Sequence, residues 1–309
     1  MFRTLTPALC AALLAPMAFI PPAFAHGVAG PRIFVNTLLL DDPAVSDEAS
    51  LPTTSWQPAP GGGNAYETDF EFDKRITEHF GFGLNDGYSL QTNPGAKNAS
   101  GWENLSLTLK YQAYVNPEHE TLVSLGVIRE FARTGSPGID NDDVGTTTPT
   151  LYWGKGLGDL PIGFLRPLAL TGTIGYQLAD KRLGALPGGA PGTFNDGTEN
   201  RWVGGLSLQY SIPYLQTQVR DLGLPSVLGR LTPLIELSWS SPASRPHATG
   251  TQYLFGVGAV YTADVYAVSL EALVPANGQS GRGIGAIAQF HLYFDDLFPH
   301  TLGKPLLQW

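Results

Sequence analysis

Acidic residues occupy every second position along one short stretch of the chain. Glu67, Asp69, Glu71 and Asp73 follow this spacing, and Arg75 continues the series. In a β-strand every second side chain points to the same face, so four carboxylates and one guanidinium would share one face. Neighbours on that face lie about 6–7 Å apart, at a rise of roughly 3.3 Å per residue. Charges so close together must hold cations, pair with basic groups or take up protons. The spacing therefore predicts a cation-attracting surface or a ladder of ion pairs.

Long alternating segments supply the strands that could carry such a face. From Asn104 to Val115 polar residues alternate with apolar or aromatic ones, and similar segments lie near residues 70, 170, 208 and 288. Strands of soluble sandwiches usually have about five or six residues. Strands that cross a bilayer at a tilt need about 9–11 residues. The lengths of these segments favour a membrane-spanning barrel over a soluble β-sandwich.

We therefore predict an all-β fold, a closed antiparallel transmembrane β-barrel of about 12 strands, within a range of about 10–14. The short connections should be periplasmic, and the long ones, rich in Gly, Pro, Asn and Asp, should be extracellular. An even strand number places both chain ends in the periplasm. The predicted strands are 31–40, 66–76, 79–91, 103–115, 120–131, 148–156, 166–179, 200–212, 231–240, 251–262, 265–274 and 283–294.

The two ends of the chain are expected to lie outside this barrel. Arg3 precedes an apolar segment, and Ala23-Phe24-Ala25 has the small-x-small pattern of a cleavage site, which predicts a cleaved signal peptide and a place in the cell outer membrane. The predicted organisation is a signal peptide at 1–25, an N-terminal strand and loop at 26–65, the barrel at 66–294 and a periplasmic C-terminal tail at 295–309.

Composition narrows the class of protein. Charged residues make up 15% of the chain, which has 37 glycines and 11% aromatic residues, whereas soluble domains are about 25% charged. Cys10 is the only cysteine, so the chain after residue 25 has no disulfide, cysteine ligand or cysteine nucleophile. That part carries 17 basic and 27 acidic residues, a net charge of −10, which argues against nucleic acid as a partner.

Four segments resemble a known family. They are DKRITEHFGFGL from Asp73, TPTLYWGKGLGDLP from Thr148, LQYSIPYLQTQVRDLGLP from Leu208 and LEALVPANGQSGRGIGAIAQFHLYFDDLFPH from Leu270. Together they resemble a largely uncharacterised family of Gram-negative outer-membrane β-barrels described as transporters. That family is distantly similar to the barrels associated with meta-pathway phenol degradation. The resemblance implies the fold and the compartment, and it implies neither a substrate nor catalytic residues.

One glycine-rich motif needs a separate interpretation. Gly154-Lys155-Gly156-Leu157-Gly158-Asp159 lacks the spacing of a phosphate-binding P-loop, and no βαβ unit surrounds it. We interpret it as the glycine-rich end of a strand before a periplasmic turn.

The candidate functional residues are charged or titratable side chains expected to line the lumen. If Phe70 and Phe72 face lipid, the acidic row faces inward, because charges at membrane depth must meet water or one another. Other predicted strands add further charged or titratable side chains at inward positions. The full set is Glu67, Asp69, Glu71, Asp73, Arg75, Lys110, Glu130, Glu236, Glu271 and His291.

Two interpretations of this lumen stay open at the level of sequence. The acidic row could belong to a cation-favouring outer-membrane channel or transporter for passive passage of small solutes, or to an ion-pair ladder in a closed barrel with a structural or surface-interaction role. A membrane-embedded hydrolase is a third hypothesis, but it needs an outward Ser–His pair, and His291 is placed inward. We expect this protein to have no enzymatic activity and to bind neither a metal nor a cofactor. The expected partners are outer-membrane lipid, lipopolysaccharide and an unidentified small solute.

Overall fold

The computed structural model describes residues 27–59, 62–95, 97–137, 139, 143–184, 195, 197–243 and 249–307. The predicted signal peptide lies outside these residues. Within them β-strands are the main regular secondary structure. The strands are β1 (Gly27–Ala29), β2 (Arg32–Phe34), β3 (Glu48–Pro58), β4 (Asn64–Thr77), β5 (Phe80–Thr92), β6 (Ala99–Trp102), β7 (Ser106–Asn116), β8 (Thr121–Glu130), β9 (Thr146–Gly156), β10 (Leu168–Ala179), β11 (Arg201–Tyr210), β12 (Leu231–Pro242), β13 (Gln252–Thr262), β14 (Tyr266–Pro275) and β15 (Gly285–Tyr293).

Strands β3 to β15 close into one antiparallel barrel. Each strand pairs with the next along the chain, and β15 pairs with β3, which completes the ring. Both β6 and β7 pair with β5, so they act as one barrel strand interrupted at residues 103–105. The ring therefore has 12 strands, and the predicted closed antiparallel barrel is confirmed.

The first predicted strand, 31–40, is wrong. Only Arg32–Phe34 of that range forms a strand, and it pairs with β1 in a small separate hairpin. The first strand of the barrel is instead β3, which lies inside the predicted connection 41–65. The register of β3 shifts between Ser50 and Thr53 on both sides. A bulge of this kind breaks the two-residue alternation, which is why the sequence pattern concealed the strand.

The alternating segment 103–115 is also less regular than predicted. It is interrupted at residues 103–105, and a bulge between Gln112 and Tyr114 shifts the pairing of β7 with β8. The bulge turns Val115 inward, where it packs against a buried cluster that includes Phe34 and Leu122. Strict alternation would instead have placed Val115 on the outer face with Leu109.

The outer face of the barrel is apolar. Large side chains at alternate positions are 37–61% exposed there, as expected for a surface that faces lipid. They include Phe70, Leu84, Leu109, Leu125, Leu151, Ile174, Leu206, Ile235, Val257 and Leu270. Among the described residues, no helix is long and apolar enough to cross a membrane.

The two ends of the barrel differ. At one end the connections 78–79, 117–120 and 263–265 are tight. The first residue of β3, Glu48, and the last residue of β15, Tyr293, also lie at this end, where they pair. We call it the short-turn end. Two longer connections, 157–167 and 211–230, also lie there and contain short helices. The opposite end, the long-loop end, carries connections that include 131–145, 180–200 and 276–284.

Candidate functional site

The lumen is occupied by the chain's own N-terminal segment. Residues 27–47, which we call the plug, precede β3 and contact inward side chains on all sides of the barrel. The contacts reach β4, β7, β8, β12 and β15 through hydrogen bonds or ion pairs. Since strands on opposite sides of the ring share these contacts, the plug must cross the interior. It fills the half of the lumen nearest the short-turn end.

Glycines on the inner wall make room for the plug. A Cβ at Gly154 would lie 3.0 Å from three ring atoms of Phe34. A Cβ at Gly205 would collide with Leu40, and one at Gly256 would lie 3.1 Å from Leu39 Cδ1. Each glycine faces inward on a different strand. With the native plug side chains in place, a larger residue at any of them would collide with plug or wall atoms.

The base of the plug is anchored by a buried ion pair. Arg32 Nε and Nη2 donate to Glu120 Oε2 at 3.0 and 2.9 Å, and Arg32 Nη1 donates to the carbonyl of Pro167 at 3.0 Å. The side chains of Arg32 and Glu120 are 0% and 4% exposed. Tyr214 donates to Glu120 Oε1 at 2.7 Å, and its ring lies 3.8 Å from the Arg32 guanidinium. Burial, together with this hydrogen bond, raises the pKa of Tyr214 to about 12, so the phenol remains a donor.

The glycine-rich motif leaves space for the side chains of this buried ion pair. A Cβ at Gly156 would lie 2.5 Å from Arg32 Nε, and one at Gly158 would lie 2.7 Å from the Tyr214 hydroxyl. Glu120 itself has a φ of 45°, a left-handed conformation that is costly for a residue with a side chain. The motif is thus the strand end and turn that we predicted, and it also makes space for Arg32, Glu120 and Tyr214.

Higher in the lumen the plug is held by polar contacts. Lys110 donates to Asp41 Oδ1 at 2.7 Å and to the carbonyl of Asp42 at 3.1 Å. Glu236 Oε2 accepts from the backbone amides of Leu38 and Leu39 at 3.0 and 2.9 Å. These contacts fix the plug where it turns back toward β3.

His291 links the plug to the seam between β15 and β3. Its Nε2 lies 3.0 Å from Glu48 Oε2, and its Nδ1 lies 3.0 Å from both Ser50 Oγ and Asn36 Nδ2. The order Ser50, His291, Glu48 is that of a nucleophile, a base and an orienting acid. Ser50 is nevertheless only 2% exposed, and none of the described cavities is lined by it. These contacts hold the seam between β15 and β3, and Asn36 joins the plug to it.

Asp47 marks the junction of plug, wall and C-terminal tail. It accepts from Lys74 Nζ at 2.7 Å, from the Arg75 amide at 2.7 Å and from Arg75 Nε at 2.9 Å, and its side chain is fully buried. Arg75 also pairs with Asp295 at 2.7 Å. The tail adds backbone contacts, since Lys74 donates to the carbonyls of Leu302 and Lys304 and the amides of Leu306 and Leu307 donate to β4.

A polar vestibule lies above the plug, toward the long-loop end. Three cavities of about 240, 250 and 280 Å³ open in this half of the lumen. One is floored by Leu39, Leu40 and Asp41 of the plug. Another is lined by Glu67 and Glu103. Oxygen atoms of Glu67, Asp69 and Glu103 lie within 4.8 Å of one another, so the vestibule concentrates negative charge.

The ten candidate residues thus divide between plug contacts and vestibule. Arg75, Lys110, Glu236 and His291 bind the plug or its junction, and Glu271 reaches over Gly256 beside Glu236. Asp73 borders a small cavity next to plug residues 44–46, with Glu71 two residues above it on the same strand. Glu67 and Asp69 lie in the vestibule. Glu130 accepts from Asn104 at 3.3 Å and Thr146 at 3.0 Å near the long-loop end.

The ion pairs formed by these residues differ from the ion-pair ladder considered in the sequence analysis. Arg75 and Lys110 form their ion pairs with Asp47, Asp295, Glu78 and Asp41, and not with the acidic row of β4. Sequence reasoning missed the plug residues Arg32, Asp41 and Asp47, because they lie in a segment predicted to be a strand and a loop. It also missed Glu103, which the break between β6 and β7 brings to the inner side, where Ser89 donates to it.

Comparisons with known proteins agree on the fold. No family model matches the chain, and no curated protein matches it. A structure of the NanC porin covers 80% of this chain and 98% of its own, with 9% identity and a TM-score of 0.51. The β domain of the Bordetella autotransporter BrkA covers 80% and 99%, with 13% identity and a TM-score of 0.47. The translocator domain of the autotransporter NalP from Neisseria meningitidis covers 79% and 85%, with 12% identity and a TM-score of 0.41. At 9% identity the similarity to the NanC porin shows the fold alone, which is a closed β-barrel.

Proposed function

We propose that this protein is an outer-membrane channel or transporter for small polar solutes, and that its own N-terminal plug closes the lumen. In this proposal the short-turn end faces the periplasm, and solutes enter the vestibule from the long-loop end. Passage requires the plug to leave the lumen at least partly. The resemblance of four sequence segments to a family of barrels described as transporters also supports this proposal.

The polar attachment of the plug is the observation that carries it. The contacts of Asp41, Asp47, Leu38 and Leu39 with the wall are ion pairs or hydrogen bonds. Water can replace these polar partners once the plug is displaced. Phe34 and Val35 also pack into buried apolar clusters with the wall, and exposing them to water adds to the cost of opening. Twelve strands enclose more space than the filled eight-stranded barrels and less than porins of 16–18 strands.

The vestibule supports a preference for cations or for solutes rich in hydrogen-bonding groups. Glu67, Asp69 and Glu103 bring three carboxyl groups together, and Ser55, Gln57, Ser89 and Gln91 line the same cavity. Acidic rings or clusters favour cations in channels.

Deletion of residues 27–42 tests the proposal. This variant keeps Asp47 and all strands of the barrel. We expect the conductance in planar bilayers to rise by about tenfold or more, because a filled passage becomes a water-filled one. A synthetic peptide of residues 27–47, added on the short-turn side, should reduce the conductance of the deletion variant. A lumen that conducts equally with and without the plug would contradict the proposal.

The same deletion variant reports on ion preference. Its reversal potential under a KCl gradient should have the cationic sign, and Glu67→Gln, Asp69→Asn and Glu103→Gln together should weaken it. Asp143→Asn is the control, because Asp143 forms an exposed ion pair with Arg133 in a loop.

A closed barrel with a structural or surface-interaction role is the second candidate. The completely buried pair of Arg32 and Glu120 favours it, since separating such a pair is expensive. This candidate predicts no conductance in the parent and a loss of folding in the deletion variant. A hydrolase would be indicated only if a fluorophosphonate probe labelled Ser50 of a folded deletion variant. We expect no labelling.

A further inference from the structure

An exposed apolar surface lies at the short-turn end, outside the lumen. It is formed by the two long connections of that end, 157–167 and 211–230. Ile162, Phe164 and Leu165 belong to the first, and Val227 is the most exposed large apolar residue of the second at 60%. The complete apolar set, which we call the rim patch, is Ile162, Phe164, Leu165, Leu222, Val227 and Leu228.

The two connections form one packed unit. The 3₁₀-helix Gly163–Leu165 contacts the π-helix Leu215–Val219, where a Cβ at Gly163 would lie 3.1 Å from Val219 Cγ1. Gln216 then donates to the carbonyl of Gly229 at 3.2 Å, which ties the helix Ser226–Gly229 to the same unit. The apolar side chains of the rim patch are therefore held on a folded surface.

This unit extends across the edge of the barrel wall. On its inner side, the carbonyl of Pro167 and the hydroxyl of Tyr214 hold the plug anchor formed by Arg32 and Glu120. On its outer side, the Tyr210 hydroxyl donates to the carbonyl of Phe164 at 3.1 Å. Tyr210 shares the outward face of β11 with Leu206 and Leu208, which are 44% and 42% exposed. Phe164 is thereby fixed next to the lipid-facing surface.

We propose that the rim patch inserts into the phospholipid leaflet at the short-turn end of the barrel. The patch continues the apolar outer face past the ends of β9 to β12, at the depth where strands end and the membrane interface begins. Apolar side chains on a folded segment at that depth bind the boundary between headgroups and acyl chains. Arg220 is exposed on the same unit and can meet lipid phosphates.

The tight turns at the same end offer a built-in contrast. Glu118 and His119 in the turn 117–120, and Asp264 in the turn 263–265, are polar and lie in connections without such a surface. The rim patch therefore contrasts with these tight turns, whereas the C-terminal tail also exposes Leu302, Leu306 and Leu307.

Spin labelling in liposomes tests this proposal. With Cys10→Ser as background, Phe164→Cys, Val227→Cys and the control Glu118→Cys each carry a single thiol for a nitroxide. The folded variants are reconstituted in vesicles of phosphatidylethanolamine and phosphatidylglycerol. We expect the ratio of oxygen to nickel-chelate accessibility to be at least about fivefold higher at 164 and 227 than at 118, because the apolar layer admits oxygen and excludes the chelate.

Two outcomes would overturn the proposal. Nickel accessibility at 164 and 227 equal to that at 118 would show that the rim patch faces water. An immobilised nitroxide that neither reagent reaches would show that protein, such as a second copy of the chain, covers it. Heat-modifiable mobility on gels confirms that each labelled variant is folded. Because the conductance of the lumen is measured separately, failure here leaves the proposed function untouched.

Discussion

Arg32→Met is expected to release the base of the plug. The substitution leaves Glu120 buried beside Tyr214 without its cation, and removing one partner of a buried pair typically costs about 3–5 kcal/mol. The two side chains are 0% and 4% exposed, so little solvent screening reduces this cost. If that energy is lost from plug docking, the undocked population rises about a hundredfold or more. Single-channel recordings should then show frequent open events that the parent lacks.

Two variants control this result. Glu120→Gln combined with Arg32→Met should recover part of the loss, because no unpaired charge remains buried. Arg133→Met removes an arginine from an exposed pair with Asp143 and should leave gating unchanged. Identical recordings from Arg32→Met and the parent would show that the anchor does not hold the plug.

Asp47→Ala should have the largest effect on the stability of the barrel itself. Asp47 accepts hydrogen bonds from Lys74 Nζ, the Arg75 amide and Arg75 Nε. Its loss leaves two buried cations without their shared carboxylate at the junction of plug, wall and tail. We expect destabilisation of about 3 kcal/mol or more, measured as a lower temperature at which heat-modifiable mobility disappears.

Asp41→Ala is the matched control within the plug. Its side chain is 38% exposed, so its pair with Lys110 is partly screened by solvent and its loss should cost much less. It also contacts only the wall of the lumen, whereas Asp47 joins three parts of the chain. Asp47→Asn should be intermediate, because an amide oxygen can still accept. Equal melting of all three variants would contradict the role assigned to Asp47.

The barrel was predictable because its wall obeys one simple rule. From β8 to β15, lipid on one side and a polar lumen on the other enforce a period of two, and the predicted strands match closely. The rule failed where a bulge shifts the period. This happened at Ser50 to Thr53 in β3 and at Gln112 to Tyr114 in β7.

The plug was not predictable in the same way. Its residues Val35 to Asp47 have no repeating environment, since their contacts are spread over β4, β7, β8, β12 and β15. Leu38-Leu39-Leu40 broke the alternation, and this was a usable signal, because two of these leucines fit against inward glycines at 205 and 256. Lys74 was another signal. Strict alternation placed this cation on the lipid face, whereas the register shift near Arg75 and the C-terminal tail enclose it.

A single engineered disulfide tests the central claim that the plug occupies the lumen. A Cβ at Gly205 lies 3.1 Å from Leu40 Cγ, and in a disulfide the Cβ atom of one cysteine lies about 3 Å from the sulfur of the other. In a Cys10→Ser background, Leu40→Cys with Gly205→Cys should therefore oxidise to one cross-linked species with altered mobility on non-reducing gels. Leu40→Cys with Leu206→Cys is the control, because Leu206 faces outward. Efficient cross-linking of the 40–205 pair alone is the predicted result. Failure of that pair to cross-link in the folded barrel, or equal cross-linking of the 40–206 pair, would contradict a plug in the lumen.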